Sequence, residues 1–218
     1  MLVLAPLVLA QESNPVQQAL MQMQQAGGKN QMALRSYQWK ESVSVTDDGH
    51  QAPIRESLCR YAADGTVLKT PLGPSEESKP ARTGPLRHHI MNQKEDEVKD
   101  VSAIAPQYLP PNPDRLREEA ASGKAVVGQE SMGSPTLIFA GYQKQGDQMK
   151  LVLDPASKQV VRIEISTYLD KGKSPVMIKT EFARLGDGTL YPAQTTINAP
   201  EKKITIATAN TNYTKVSP

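Results

Sequence analysis

The chain has 218 residues, 25 basic and 23 acidic side chains for a formal charge of +2, a single cysteine, and 38% hydrophobic residues with two Phe and one Trp. That length can bury one sizeable core, whereas the near-balanced charge offers no basic face for nucleic acid or an anionic membrane surface. A lone cysteine excludes an intramolecular disulfide, so the fold must rely on packing, and the modest apolar content suits a sheet with one wet face.

Residues 1–10 (MLVLAPLVLA) carry no charge and end in Val8-Leu9-Ala10 before Gln11, the pattern of a secretory leader with small residues at positions −3 and −1 of its cleavage site. Export is therefore expected, with a periplasmic or secreted mature chain of residues 11–218 forming a single domain. Ten apolar residues are too few to span a bilayer. Asn14-Pro15 then reads as a helix cap and first turn, with Val16, Ala19, Leu20 and Met23 at helical spacing until Gly27-Gly28 stops the run. From Met32 the period becomes two: Tyr37, Trp39, Val43 and Val45 alternate with polar residues, Asp47-Asp48-Gly49 turns the chain with His50 in that turn, and strands near 54–62 and 66–70 complete a three-stranded meander.

Residues 73–87 (GPSEESKPARTGPLR) are rich in Pro, Gly, Ser and charge and predict a flexible, solvated loop. A helical insertion is expected over 90–122, one helix carrying Met91, Val98, Val101 and Ala105 and ending at Pro106, a second capped by Asn112-Pro113 and carrying Leu116 and Ala120. Strands follow at 125–129, 136–143, 148–153, 160–169, 176–185, 190–198 and 203–216, separated by turns such as Gln145-Gly146-Asp147, Asp154-Pro155 and Gly186-Asp187-Gly188.

No catalytic constellation assembles from these residues, and the chain is expected to be no enzyme. His88-His89 are adjacent, so they point apart and make a poor metal pair, and His50 belongs to a solvated turn. Cys59 has no histidine partner and reads as a small hydrophobe, and Glu95, Asp96, Glu97 and Asp100 interleave with Lys94 and Lys99 as a salt-bridged face. Ser131-Met-Gly-Ser134 lacks the context of a nucleophile elbow. No phosphate loop or dinucleotide fingerprint is present, so no cofactor and no metal are expected.

What stands out is the alternation of Leu151 and Leu153, of Val161, Ile163 and Ile165, and of Val176, Ile178 and Phe182, with Arg162, Glu164, Lys179 and Glu181 on the other face. A twisted sheet would turn that apolar side into a concave surface. Tyr37, Trp39, Ile163, Ile165, Ile178 and Phe182 are the candidate ligand-binding residues, expected to face the helices of 90–122.

The order of helix, three-strand meander, helical insertion and long meander resembles the LolA/LolB superfamily of exported lipoprotein-carrier folds. LVLDPASKQVVRIE (151–164) resembles that family's strand, Asp-Pro turn and strand, and GTLYPA (188–193) its following Gly…Tyr-Pro strand. The resemblance implies an α+β fold in which a curved antiparallel sheet forms an unclosed β-barrel, a half-barrel wrapped around helices, whose interior accepts acyl chains. The expected function is a binding protein that carries or senses a lipid or lipoprotein acyl chain. The alternative is a structural or interaction module with a self-filled interior that docks an envelope protein partner.

Overall fold

In the computed structural model, the described residues are 14–73, 85–130, 133–169 and 174–216, with the side chains of 85–92 outside the description. The leader 1–10, loop residues 74–84 and the turn at 170–173 fall outside it too, as do the His88-His89 side chains and Ser131-Met132.

In chain order the elements are α1 (Pro15–Leu34), β1 (Tyr37–Asp47), β2 (His50–Gln51), β3 (Arg55–Tyr61), β4 (Val67–Pro71), α2 (Pro85–Ser102), α3 (Ala105–Tyr108), α4 (Pro113–Ala121), β5 (Ala125–Gln129), β6 (Pro135–Ala140), β7 (Gln148–Leu153), β8 (Val160–Leu169), β9 (Ser174–Arg184), β10 (Leu190–Ala199) and β11 (Ile204–Lys215). Every strand pair is antiparallel. The sheet has eleven strands in the order β4-β3-β1-β11-β10-β9-β8-β7-β6-β5, with β2 a short hairpin partner of β1. β4 and β5 lie at opposite edges and do not pair with each other, so this is the unclosed half-barrel of an α+β fold.

One row of directly opposed residues crosses eight strands on the concave face. Ala125 faces Phe139, Phe139 faces Met149, and Met149 faces Ile165. Ile165 then faces Ile178, Ile178 faces Ile197, Ile197 faces Ile206 and Ile206 faces Val45. Such cross-strand neighbours are the unit that stabilises a sheet, and here they form the floor of the core. Val16, Leu20 and Met23 of α1, Val101 of α2, Tyr108 of α3, and Leu116 and Ala120 of α4 join the same cluster. Arg162, Glu164 and Lys150 lie on the convex side, where Glu130 bridges Lys150 at 2.6 Å and Arg162 at 2.5 Å.

Four local expectations are corrected. α1 does not stop at Gly27-Gly28 but runs to Leu34, taking Met32 with it. Each glycine costs a helix about 1 kcal/mol, and burial of Leu20, Met23 and Leu34 along the same helix outweighs that. Pro106 opens α3 rather than closing α2, which ends at Ser102, because a proline fits a first turn where no N–H bond is needed. His50 sits in strand β2, not in the turn. Finally, a bulge opposite Val152 and Leu153 shifts the register so that Val160, not Val161, packs against the core. The Asn14-Pro15 and Asn112-Pro113 caps form as expected, with the Asn112 side chain accepting from the amides of Asp114 and Arg115.

Candidate functional site

The concave face has two ends, and the six candidate residues divide between them. Ile163, Ile165 and Ile178 lie in the cluster under the helices, each no more than 3% exposed, and Phe182 packs partly buried at its margin. Tyr37 and Trp39 are on the same side of β1 as Val43 and Val45, which touch that cluster, but they belong to a separate aromatic group farther along the strand.

That group is a floor laid on β1, β3 and the last turns of β11. The Trp39 indole lies flat against Tyr213, with centroids 5.5 Å apart and planes at 9°, and is tilted against Tyr61 at 5.2 Å. Tyr213 in turn meets Tyr191 at 4.3 Å and the edge of Tyr37 at 6.3 Å. The chain's only tryptophan and four of its tyrosines thus gather at one place. Trp39 directly opposes Cys59, which is completely buried, more so than the half-buried position expected of it. Burial pushes the Cys59 thiol and the Tyr61 and Tyr213 phenols above their ordinary pKa values, so all three stay neutral at physiological pH.

Polar contacts hold the floor in place. The Trp39 indole N–H donates to Asn210 Oδ1 at 3.1 Å, and the Asn210 amide donates to the Pro192 carbonyl at 2.8 Å, linking β1, β11 and β10. Where β10 leaves β11, the Asn30 side chain of α1 takes over, accepting from the Leu190 N–H at 2.6 Å and donating to its C=O at 2.7 Å. At the rim the Tyr37 hydroxyl donates to Asp187 Oδ2 at 2.5 Å, and Lys215 stands 3.3 Å from the same oxygen. These contacts, the Tyr37 bond first, hold the Asp187 carboxyl well below the usual range. On the floor beyond Cys59, Glu41 pairs with Lys69 at 2.7 Å.

Sequence reading missed Tyr61, Tyr191 and Tyr213. Asn212 adopts φ 54° where the β1–β11 register slips, and this bulge delivers Tyr213 opposite Trp39. The stretch Asn210–Thr214 (NTNYT) reads as an ordinary polar strand end, so only the αL-tolerant Asn212 signals it.

A second polar cluster lies at the opposite end of the helical layer. Asp147, 2% exposed, accepts from the Tyr108 hydroxyl at 2.6 Å and from the Gln143 and Lys144 amides at 3.0 Å each. Tyr108 also contacts Thr167 Oγ1 at 2.8 Å. Its role is to clasp the 141–147 turn onto α3. Among the described residues no group of three or more His, Cys, Asp or Glu side chains gathers as a metal site.

No family model matches the chain and no curated protein matches it. Solved structures of similar shape include a DUF1329 family protein from Desulfovibrio piger (9% identity, TM-score 0.47), covering 93% of this chain and 94% of that one. A LolA superfamily protein from Nitrosomonas europaea has 9% identity and TM-score 0.44 over the same shares, 93% and 94%. An outer membrane lipoprotein-sorting protein domain from Vibrio parahaemolyticus has 8% identity and TM-score 0.49, again over 93% and 94%. The likeness is one of overall shape alone.

Proposed function

We propose that the chain is an exported, non-enzymatic binding protein that holds an apolar chain, of the acyl type, against the aromatic floor of Trp39, Tyr61 and Tyr213. The observation that carries this reading is where the helices stop. α1, α2 and α4 make their main sheet contacts on β5, β6, β10 and β11, whereas Trp39, Tyr61 and Tyr213 stand on β1, β3 and the far end of β11, with Trp39 itself 5% exposed and the Tyr61 and Tyr213 rings beside it half-buried. Neutral, flat side chains supply large apolar contact at small entropic cost, which suits a ligand without fixed shape. Of the six residues expected from sequence, Tyr37 and Trp39 stand at this site. Ile163, Ile165 and Ile178 form the packed wall beside it, and Phe182 its margin.

The apolar run 1–10 supports export, and among the described residues no helix is long and apolar enough to cross a membrane. Burial holds the Cys59 thiol in its neutral form, which suits a packed side chain rather than a nucleophile.

Trp39 is the only tryptophan, so its emission reports on the floor directly. Titration with palmitic acid should shift that emission saturably, and the Tyr213→Ala variant should bind at least tenfold more weakly while remaining folded by circular dichroism. An unchanged emission, with no lipid retained when the protein is isolated from its own envelope and weighed by native mass spectrometry, would overturn this reading. A second reading then stands, that of an interaction module, favoured by the filling of the row from Ala125 to Ile206 by the chain's own helices.

A further inference from the structure

The two edges of the sheet are built differently. On β4, the Leu72 amide bonds to the Glu56 carbonyl and the Ala62 amide to the Thr66 carbonyl. Antiparallel pairing alternates, so even-numbered residues of β4 bond inward to β3, and Val67, Lys69 and Pro71 face outward. Pro71 has no N–H to offer and Lys69 carries a charge, the two devices that blunt an edge against further pairing.

β5 lacks both. Its neighbouring bonds, Ala140 amide to Lys124 carbonyl and Glu130 amide to Ser134 carbonyl, fix even-numbered residues as the inward partners of β6. The N–H and C=O groups of Ala125, Val127 and Gln129 therefore point off the sheet. Between Ala125 and Gln129 (AVVGQ) there is neither charge nor proline, and Val126 and Val127 are 54% and 46% exposed. Such a strand is a template for another strand.

We propose that β5 pairs with β5 of a second copy of this chain, antiparallel about a two-fold axis at Val127. In that register every outward group finds a partner: Ala125 meets the copy's Gln129, and Val127 meets the copy's Val127. Size and charge agree as well. On the convex side Val126 stands across from the copy's Gly128, bulk against space, and Lys124 across from the copy's Glu130, cation against anion. Moving the axis one residue either way places Lys124 against the copy's Gly128 or Val126 against the copy's Glu130, and loses both matches. The match is isologous, which closes the assembly at a dimer with two β4 edges outermost. Beside β5, the groove of about 330 Å³ between α1 and α4, lined by Leu20, Met21, Ala120 and Ala121, adds apolar surface on the same flank, with Met21 61% exposed.

Sedimentation equilibrium of the wild-type chain should show a reversible, concentration-dependent shift from 23.8 kDa toward twice that mass. Val127→Lys sets two ammonium groups face to face at the axis and should weaken the dimer at least tenfold without lowering the melting temperature of the monomer, because Val127 contributes only its inner half to the fold. Cα atoms of a directly opposed, hydrogen-bonded pair are about 5.5 Å apart, within disulfide range. Val127→Cys should therefore cross-link to a dimer on mild oxidation, while Val67→Cys on the β4 edge should not. A wild-type chain that stays monomeric at millimolar concentration, a dimer indifferent to Val127→Lys, or equal cross-linking of both cysteine variants would each overturn the proposal.

Discussion

Trp39 and Tyr213 lie with their rings 9° from parallel although they come from opposite ends of the chain. Their strands, β1 and β11, close the path between the N-terminal meander and the long C-terminal one, so the stack is also the seam of the sheet. An aromatic pair of this kind contributes about 0.5–1.5 kcal/mol beyond the area it buries. Tyr213→Ala should accordingly lower stability by more than that stacking share and red-shift the Trp39 emission as water reaches the indole. Chemical denaturation followed by fluorescence measures both, and an unshifted emission maximum would show the indole held dry by other contacts.

Asp147 offers a separate test of how the turn at 141–147 is held. One carboxylate oxygen serves the Tyr108 hydroxyl and two backbone amides, all in a setting that is 2% exposed. Asp147→Ala leaves the Gln143 and Lys144 amides without an acceptor while the Tyr108 hydroxyl keeps Thr167 Oγ1, each unsatisfied group costing about 1–3 kcal/mol, so the variant should lose at least about 2 kcal/mol and lose amide-exchange protection at Gln143 and Lys144. Asp147→Asn keeps an acceptor in place and should lose less. Equal losses for the two variants would assign the effect to volume rather than to the bonds.

Much of the architecture was written in period and punctuation. Period-two alternation marked the strands, and Asn-Pro pairs marked two helix starts, because these signals are local and set by backbone sterics. The curved sheet around helices came from element order together with resemblance. What sequence could not carry was register: the bulges at Val152, Asn212 and beside Pro192 each insert one residue, and each decides which side chain faces inward. Hence alternation alone places Ile163, Ile165 and Ile178 on the apolar face, but the division of the six candidates between a helix-covered aliphatic end and an aromatic end is not legible in it. Tyr37 and Trp39 alternate in step with Val43 and Val45, and nothing local tells that they join the aromatic group rather than the cluster under the helices.

The packed end should behave as core. Ile178 is 1% exposed between Ile165 and Ile197, and replacing it by Ala removes buried volume that the rigid floor cannot recover, a change that costs about 2–5 kcal/mol. Ile178→Ala should thus lower the melting temperature clearly while leaving the affinity for palmitic acid within twofold at a temperature where it is folded. Phe182→Ala, at the margin, should cost less in stability and more in binding. The reverse ranking would move the ligand into the helix-covered part of the half-barrel.

The rim contact between Tyr37 and Asp187 predicts a pH dependence with a defined sign. Bonds from Tyr37 and Thr189 hold the Asp187 carboxyl below its ordinary value of 3.8 in the folded state. A carboxyl depressed on folding contributes stability above its unfolded pKa and loses it as pH falls through the folded one. The same bond raises the Tyr37 phenol above 10.0, so that group stabilises below its unfolded pKa and its contribution fades only in strong alkali. Asp187→Asn keeps an acceptor for Tyr37 but removes the charge facing Lys215. The variant should therefore melt below wild type at neutral pH, and the gap should shrink steadily once the pH drops under about 4, the ordinary aspartate range. Thermal melts across pH 2–8 read the gap directly, and a constant difference down to the acid limit would mean that the ionised carboxylate is not what holds the β1 rim to the β9–β10 turn.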